Sequence, residues 1–166
     1  MPRSLDVAAR DIVFNGPYKT RDELEMALSQ GALVNIDNFD ELALVEQVAA
    51  SLSRPGRVGI RVNFRYGPAP WTKFGFNDEN GDAQAALKRI AAQPNLAFEA
   101  LHNHCGTFQL VHDIYAKAIE ALIKMAKRAI SASSRPSSMS AAAFRRAIAS
   151  SPCTTCPAAT TERATC

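Results

Sequence analysis

Between residues 11 and 130, short apolar runs alternate four times with helix-patterned segments, and this limits the fold more than any single motif does. Ile12-Val13-Phe14 is a strand that ends at Asn15-Gly16-Pro17. Thr20-Arg21-Asp22-Glu23 has the form of a capping box, in which threonine and glutamate satisfy each other's backbone N–H groups. The helix it opens carries Leu24, Ala27 and Leu28 on one face and stops at Gly31. Leu33-Val34-Asn35-Ile36 is a second strand, and Asp37 or Asn38 caps a helix through Leu52 whose apolar positions are Leu42, Val45, Val48, Ala49 and Leu52. After a turn at Arg54-Pro55-Gly56-Arg57, a third strand runs from Val58 to Asn63. A loop from Tyr66 to Gly81 carries Trp71 and Lys73-Phe74-Gly75. A helix from Asp82 to Ala92, a strand from Leu96 to His104 and a helix from His112 to Ile130 complete the series. The order βαβαβαβα predicts an α/β fold of parallel strands joined by helical crossovers.

The chain divides into a lead-in (1–10), the α/β region (11–130) and a tail (131–166). The tail holds one of the chain's 16 acids, Glu162, and is built from serine, alanine, proline, threonine and arginine. It cannot bury enough surface to offset its ordering entropy, so it is expected to be disordered apart from a weak amphipathic patch at Phe144–Ile148. Its abrupt start has the look of a frameshift product. Apolar content of 47% and a net charge of +3 describe a globular protein and argue against a nucleic-acid binder. No apolar run approaches the roughly 20 residues of a membrane helix. Met1-Pro2-Arg3-Ser4-Leu5-Asp6 lacks the apolar core of a secretory signal, so the expected location is cytoplasmic. Cys153, Cys156 and Cys166 crowd the tail, and the Cys153/Cys156 spacing alone does not make a metal site.

Ligands in parallel βα folds gather at the C-terminal ends of strands. Those ends here are Asn15–Lys19, Asp37-Asn38, Arg61-Val62-Asn63 and His102-Asn103-His104-Cys105-Gly106-Thr107. Strand alternation places His102 and His104 on one face. Gly106 permits a tight turn, and Thr107 offers a hydroxyl and an N–H to an anion. Asp37 and Asn38 read as polar because they are solvated, and Cys105 reads as the filler of a small apolar gap. Trp71 and Phe74 would cover the mouth of the fold or a partner subunit. Lys124, Lys127 and Arg128 suit the negative pole of the last helix.

Five segments, in order and in spacing, resemble the group IV, fold-type III pyridoxal-phosphate decarboxylases that act on diaminopimelate, ornithine or arginine. They are Ile12–Lys19 with Asp22-Glu23-Leu24, Val34–Leu42, Ile60–Asn63, Lys73–Phe76 and Leu101–Thr107. The resemblance covers about 120 residues. It implies a partial (β/α)8 barrel of the alanine-racemase-like type, with these segments forming roughly the third to sixth strands. It implies pyridoxal 5'-phosphate as cofactor, His104 stacked on its ring, Thr107 and Gly106 at its phosphate and Arg61 near the ring. Thr107 stands where the family more often has serine. Lys73 would flank the substrate entrance. The implied partners are an amino-acid substrate and a second subunit, with no nucleic acid and no membrane.

The departures from the family pattern are as informative. Its cofactor-binding lysine lies in a Tyr-Ala-x-Lys strand that would precede residue 1, so no catalytic residue is identified in this chain. Tyr115-Ala116-Lys117 is a look-alike on a helix, one residue short. The Gly-rich phosphate loop expected after Ile130, the acid that pairs with the ring nitrogen and the C-terminal β-domain are not found in the sequence. The expectation is therefore a decarboxylase fragment that is inactive alone. The alternative is a non-catalytic remnant or module that pairs with an intact relative through its open strand edges. A zinc hydrolase built on His102 and His104 would need later ligands, and only His112 remains.

Overall fold

The computed structural model describes residues 6–65, 73–106 and 110–132. After a 3-10 turn at Ala9–Asp11 the elements are β1 (Val13–Phe14), α1 (Arg21–Gln30), β2 (Leu33–Ile36), α2 (Phe39–Ala49) and β3 (Gly56–Asn63). They continue with β4 (Phe76–Asn77), α3 (Asp82–Ala92), β5 (Leu96–His102) and α4 (His112–Ala132). The expected α/β class and βα order are present. The tail expectations, including Phe144–Ile148 and the three tail cysteines, fall outside the described residues, as do Trp71 and Thr107.

Local chemistry sets the boundaries. The capping box is complete: Thr20 N–H donates to Glu23 Oε2 at 2.8 Å and Glu23 N–H donates to Thr20 Oγ1. Gly31 ends α1 at φ 87°, a left-handed conformation that costs a side-chain-bearing residue energy. Asn38, not Asp37, caps α2, with Oδ1 accepting the Glu41 N–H at 2.8 Å. That helix ends at Ala49, three residues before the expected Leu52. Gly56 and Arg57 were expected in a turn but open β3, where Gly56 N–H donates to Asn95 O at 2.9 Å. A Cβ on Gly56 would stand 3.1 Å from Leu28, so the glycine lets α1 close on the sheet.

All pairings are parallel. β2 lies between β1 and β3, and β3 pairs with β5 along Gly56–Arg61 and with β4 at Val62–Asn63. β4, two residues long, lies within the segment from Tyr66 to Gly81 that is expected to be a loop. One sheet face carries Val34, Ile36, Val58, Ile60, Val62, Phe98 and Leu101, all buried in a core shared with Leu24, Leu28, Leu42, Val45, Val48, Ile90 and Met125. The opposite face carries Asn35, Gly59, Arg61 and Asn63.

β5 contains a bulge that positions the site. Val58 is level with Phe98, whereas Gly59 is level with Ala100 and Arg61 with His102. Three steps along β3 thus match four along β5, and Glu99 is the extra residue. Because side chains alternate, the bulge takes His102 off the Phe98 face and sets it beside Arg61. Arg57 secures the spot by donating to Glu99 Oε2 at 2.9 Å, to Arg10 O and to Gly31 O.

Candidate functional site

The polar face ends in a rim at the C-terminal tips of β1, β2, β3 and β5. Lys19 follows β1 and is buried. Its Nζ donates to Gly16 O at 2.7 Å, Asn35 O at 2.8 Å and Glu41 Oε1 at 2.6 Å. The other Glu41 oxygen accepts the Asp37 N–H at 2.6 Å, so one carboxylate joins β1, the end of β2 and the first turn of α2. Asn35 donates to Asn15 Oδ1 at 2.7 Å, while its own Oδ1 is buried without a hydrogen-bond partner.

Asp37, expected to be solvated, is only 5% exposed. Its Oδ1 accepts from Arg61 at 3.1 Å and its Oδ2 accepts the Gly75 N–H at 3.2 Å. The Arg61 guanidinium also lies 5.1 Å from the Phe74 ring centroid, a cation–π contact. Asn63 donates to Phe74 O at 2.8 Å and Gly75 O at 3.1 Å, holding the same loop from β3. A Cβ at Gly75 would stand 2.8 Å from Arg61 O, and its φ is 83°. Glycine is therefore required for the loop to lie against β3. A cleft of about 430 Å³ opens beside it, lined by Asn63, Arg65, Gly75, Asn77 and Glu79.

His102 is half-buried beside Arg61, and its Nδ1 is buried without a hydrogen-bond partner. Burial, then the neighbouring Arg61 and His104, lower its pKa to about 4, so the imidazole is neutral at neutral pH. Strand pairing ends at His102, two residues short of the expected end. Strand alternation thus does not extend to His104, which is exposed where the chain leaves the sheet. Asn103 donates to Val62 O at 2.8 Å and accepts from the Cys105 thiol at 3.1 Å. Cys105 is half-buried on that polar partner. Gly106 has φ 113°, a backbone conformation that favours glycine.

The structure thus brings Arg61, His102, His104 and Gly106 to one rim, with Lys73 exposed on the loop that Asp37 anchors. Lys117 lies exposed on α4, as a helix position should. Lys124, Lys127 and Arg128 are expected near the end of a helix through Ile130, but α4 continues to Ala132 with no basic residue in its last turn, and Arg128 pairs with Asp78 at 3.0 Å. His112 is exposed beside Asp113. Among the described residues no group of three or more His, Cys, Asp or Glu side chains is placed to hold a metal ion. No helix among them is long and apolar enough to cross a membrane. Sequence reading missed the Lys19–Glu41 pair and the structural role of Asp37. The only signal for either was a charged residue just beyond an apolar strand.

The pyridoxal-binding domain of the pyridoxal-dependent decarboxylases matches residues 2–139. The chain belongs to the pyridoxal-dependent decarboxylases. The family's cofactor is pyridoxal phosphate, and its barrel domain accounts for the parallel βα units. Diaminopimelate decarboxylase of Actinosynnema pretiosum subsp. auranticum is 33% identical over 132 residues, covering 73% of this chain and 29% of that protein. L-glutamyl-[BtrI acyl-carrier protein] decarboxylase of Niallia circulans is 26% identical over 137 residues, 76% of this chain and 31% of the relative. The crystal structure of Helicobacter pylori diaminopimelate decarboxylase complexed with L-lysine superposes with a TM-score of 0.69 at 26% identity, covering 78% of this chain and 35% of that one. The chain spans about a quarter to a third of the length of the curated relatives it matches.

The rim suits an anionic cofactor in charge: the Arg61 guanidinium stands on the polar face, and His102 Nδ1 and Asn35 Oδ1 are buried without hydrogen-bond partners. At Gly59 a Cβ would collide with Asn35 Oδ1 and stand 2.8 Å from Ala100, so glycine lets those side chains pack against β3.

Proposed function

We propose that this chain is four central βα units of a decarboxylase acting on a basic or diamino amino acid of the diaminopimelate, ornithine or arginine type, in the cytoplasm. The carrying observation is the placement of Arg61 and the neutral, unpartnered His102 on one polar face inside the family-matched region. When bound, pyridoxal phosphate supplies a sink for the electron pair left by a departing α-carboxylate. Arg61, held by Asp37, would lie alongside the ring. His104, two residues past the end of β5, would stack on it. Thr107 and Gly106 would hold the phosphate, and Lys73 would flank the way in.

We read the chain alone as inactive, because none of its described lysines is free on this face. Lys19 is sealed by three acceptors, Lys73 is exposed on the loop, and Lys88, Lys117, Lys124 and Lys127 lie on helices. Titrating the full chain with pyridoxal phosphate, and then assaying carbon dioxide release from meso-diaminopimelate, ornithine and arginine, tests the reading. The expected result is binding that inorganic phosphate competes away, with no release above buffer. Sustained release would refute the inactivity, and no binding would refute the cofactor assignment.

A second reading is a non-catalytic module that pairs with an intact relative or a second copy. It is favoured by β1 and β5, each of which pairs with one strand only among the described residues.

A further inference from the structure

We propose that Asp37 is a positioning residue that couples the Lys73–Gly75 loop to the Arg61 guanidinium, so that loop and guanidinium are ordered together. The inference rests on the reading of Arg61 as a ring-side group, but its test does not need the cofactor.

The geometry is a clamp with two prongs. One Asp37 oxygen holds Arg61 at 3.1 Å, and the other accepts the Gly75 N–H at 3.2 Å. The carboxylate is fixed from behind, since Asp37 N–H donates to Glu41, which Lys19 holds in turn. Between the prongs Phe74 lies against the guanidinium, and Asn63 binds both carbonyls that flank Gly75. A ligand that draws on Arg61 must therefore work against the same carboxylate that seats the loop, and anything that lifts the loop uncovers Arg61. The charge on Asp37 is essential to this. A carboxylate accepts at both oxygens, whereas an amide of the same shape has one acceptor and one donor. In Asp37→Asn one prong faces donor to donor, and either Gly75 or Arg61 loses its partner.

The readout is limited proteolysis of the full chain by trypsin at Lys73–Phe74, with cleavage after exposed Lys88 in α3 as internal reference. Asp37→Asn is expected to raise the Lys73–Phe74 rate about tenfold relative to the reference, the factor carried by one hydrogen bond to a charged group. Arg61→Met, which removes the guanidinium prong and its contact with Phe74 and leaves the cleaved segment unchanged, is expected to raise the same rate severalfold. It keeps the question decidable should Asp37→Asn fail to fold. An unchanged rate in a folded Asp37→Asn, or in Arg61→Met if that variant alone folds, overturns the coupling. Loss of pyridoxal phosphate binding with an unchanged cleavage rate would confine Asp37 to Arg61 and overturn it equally. Faster cleavage in a chain that never binds the cofactor would support the clamp while removing the ring-side reading.

Discussion

His102 shows how one side chain's surroundings decide its chemistry. An imidazole in water takes a proton near pH 6.5, but here burial and the facing Arg61 and His104 delay that to about pH 4. Between those values the unfolded chain binds the proton and the folded chain does not, so acid favours unfolding. The contribution of His102 is full above pH 6.5 and is lost as pH falls toward 4. Discounted for partial exposure, the loss is on the order of 2 kcal/mol. Followed from pH 7 to pH 4, the urea midpoint of wild type should therefore fall relative to that of His102→Gln as the medium turns acid. Parallel curves would show that His102 is solvated like any surface histidine. Asp37 teaches the complementary point about legibility. A charged residue just past an apolar strand looks the same in sequence whether water or a guanidinium 24 residues further on satisfies it. The solvated reading failed because nothing local to Asp37 distinguishes the two.

The elements were legible where their signals are local. The Thr20 capping box, the Gly31 stop and the β2 limits follow from neighbouring residues and were read correctly. The bulge at Glu99 and the two-residue β4 depend on strand partners and leave no periodic trace. The bulge matters most for the site, since unbroken alternation would have put His102 with Phe98. The Lys19–Glu41 pair also lies beyond local reading, and it ties β1, β2 and α2 together. Lys19→Met would leave Glu41 buried without its counter-charge, at a cost of about 3–5 kcal/mol. Lys19→Met with Glu41→Leu removes both charges, and most of that loss should return. Denaturant midpoints for the two variants check this, and equal losses would mean that the pair's value lies in its backbone hydrogen bonds.

At the scale of the whole molecule, the sheet is apolar and helix-covered on one side, and polar along Asn35, Arg61 and Asn63 on the other. Parallel sheets are ordinarily covered on both faces and bounded at both edges. Among the described residues β5 offers a seven-residue edge and β1 a two-residue one, with Val13 46% exposed beside it. Because both strands run in the same direction, the β1 edge of one copy can extend the β5 edge of the next without reversing the sheet. Such a head-to-tail contact does not close on itself in general and yields an open series of sizes. Sedimentation of the full chain at rising concentration should then show species beyond the dimer. Val13→Lys charges the β1 edge while leaving β5 intact, so growth should stop at dimers or below, with the monomer fold kept. If wild type stays monomeric at high concentration, the edges are covered within the chain itself and pairing with a relative loses its structural basis. If Val13→Lys leaves the larger species unchanged, association runs through β5 or the polar face, and an intact relative would have to dock there.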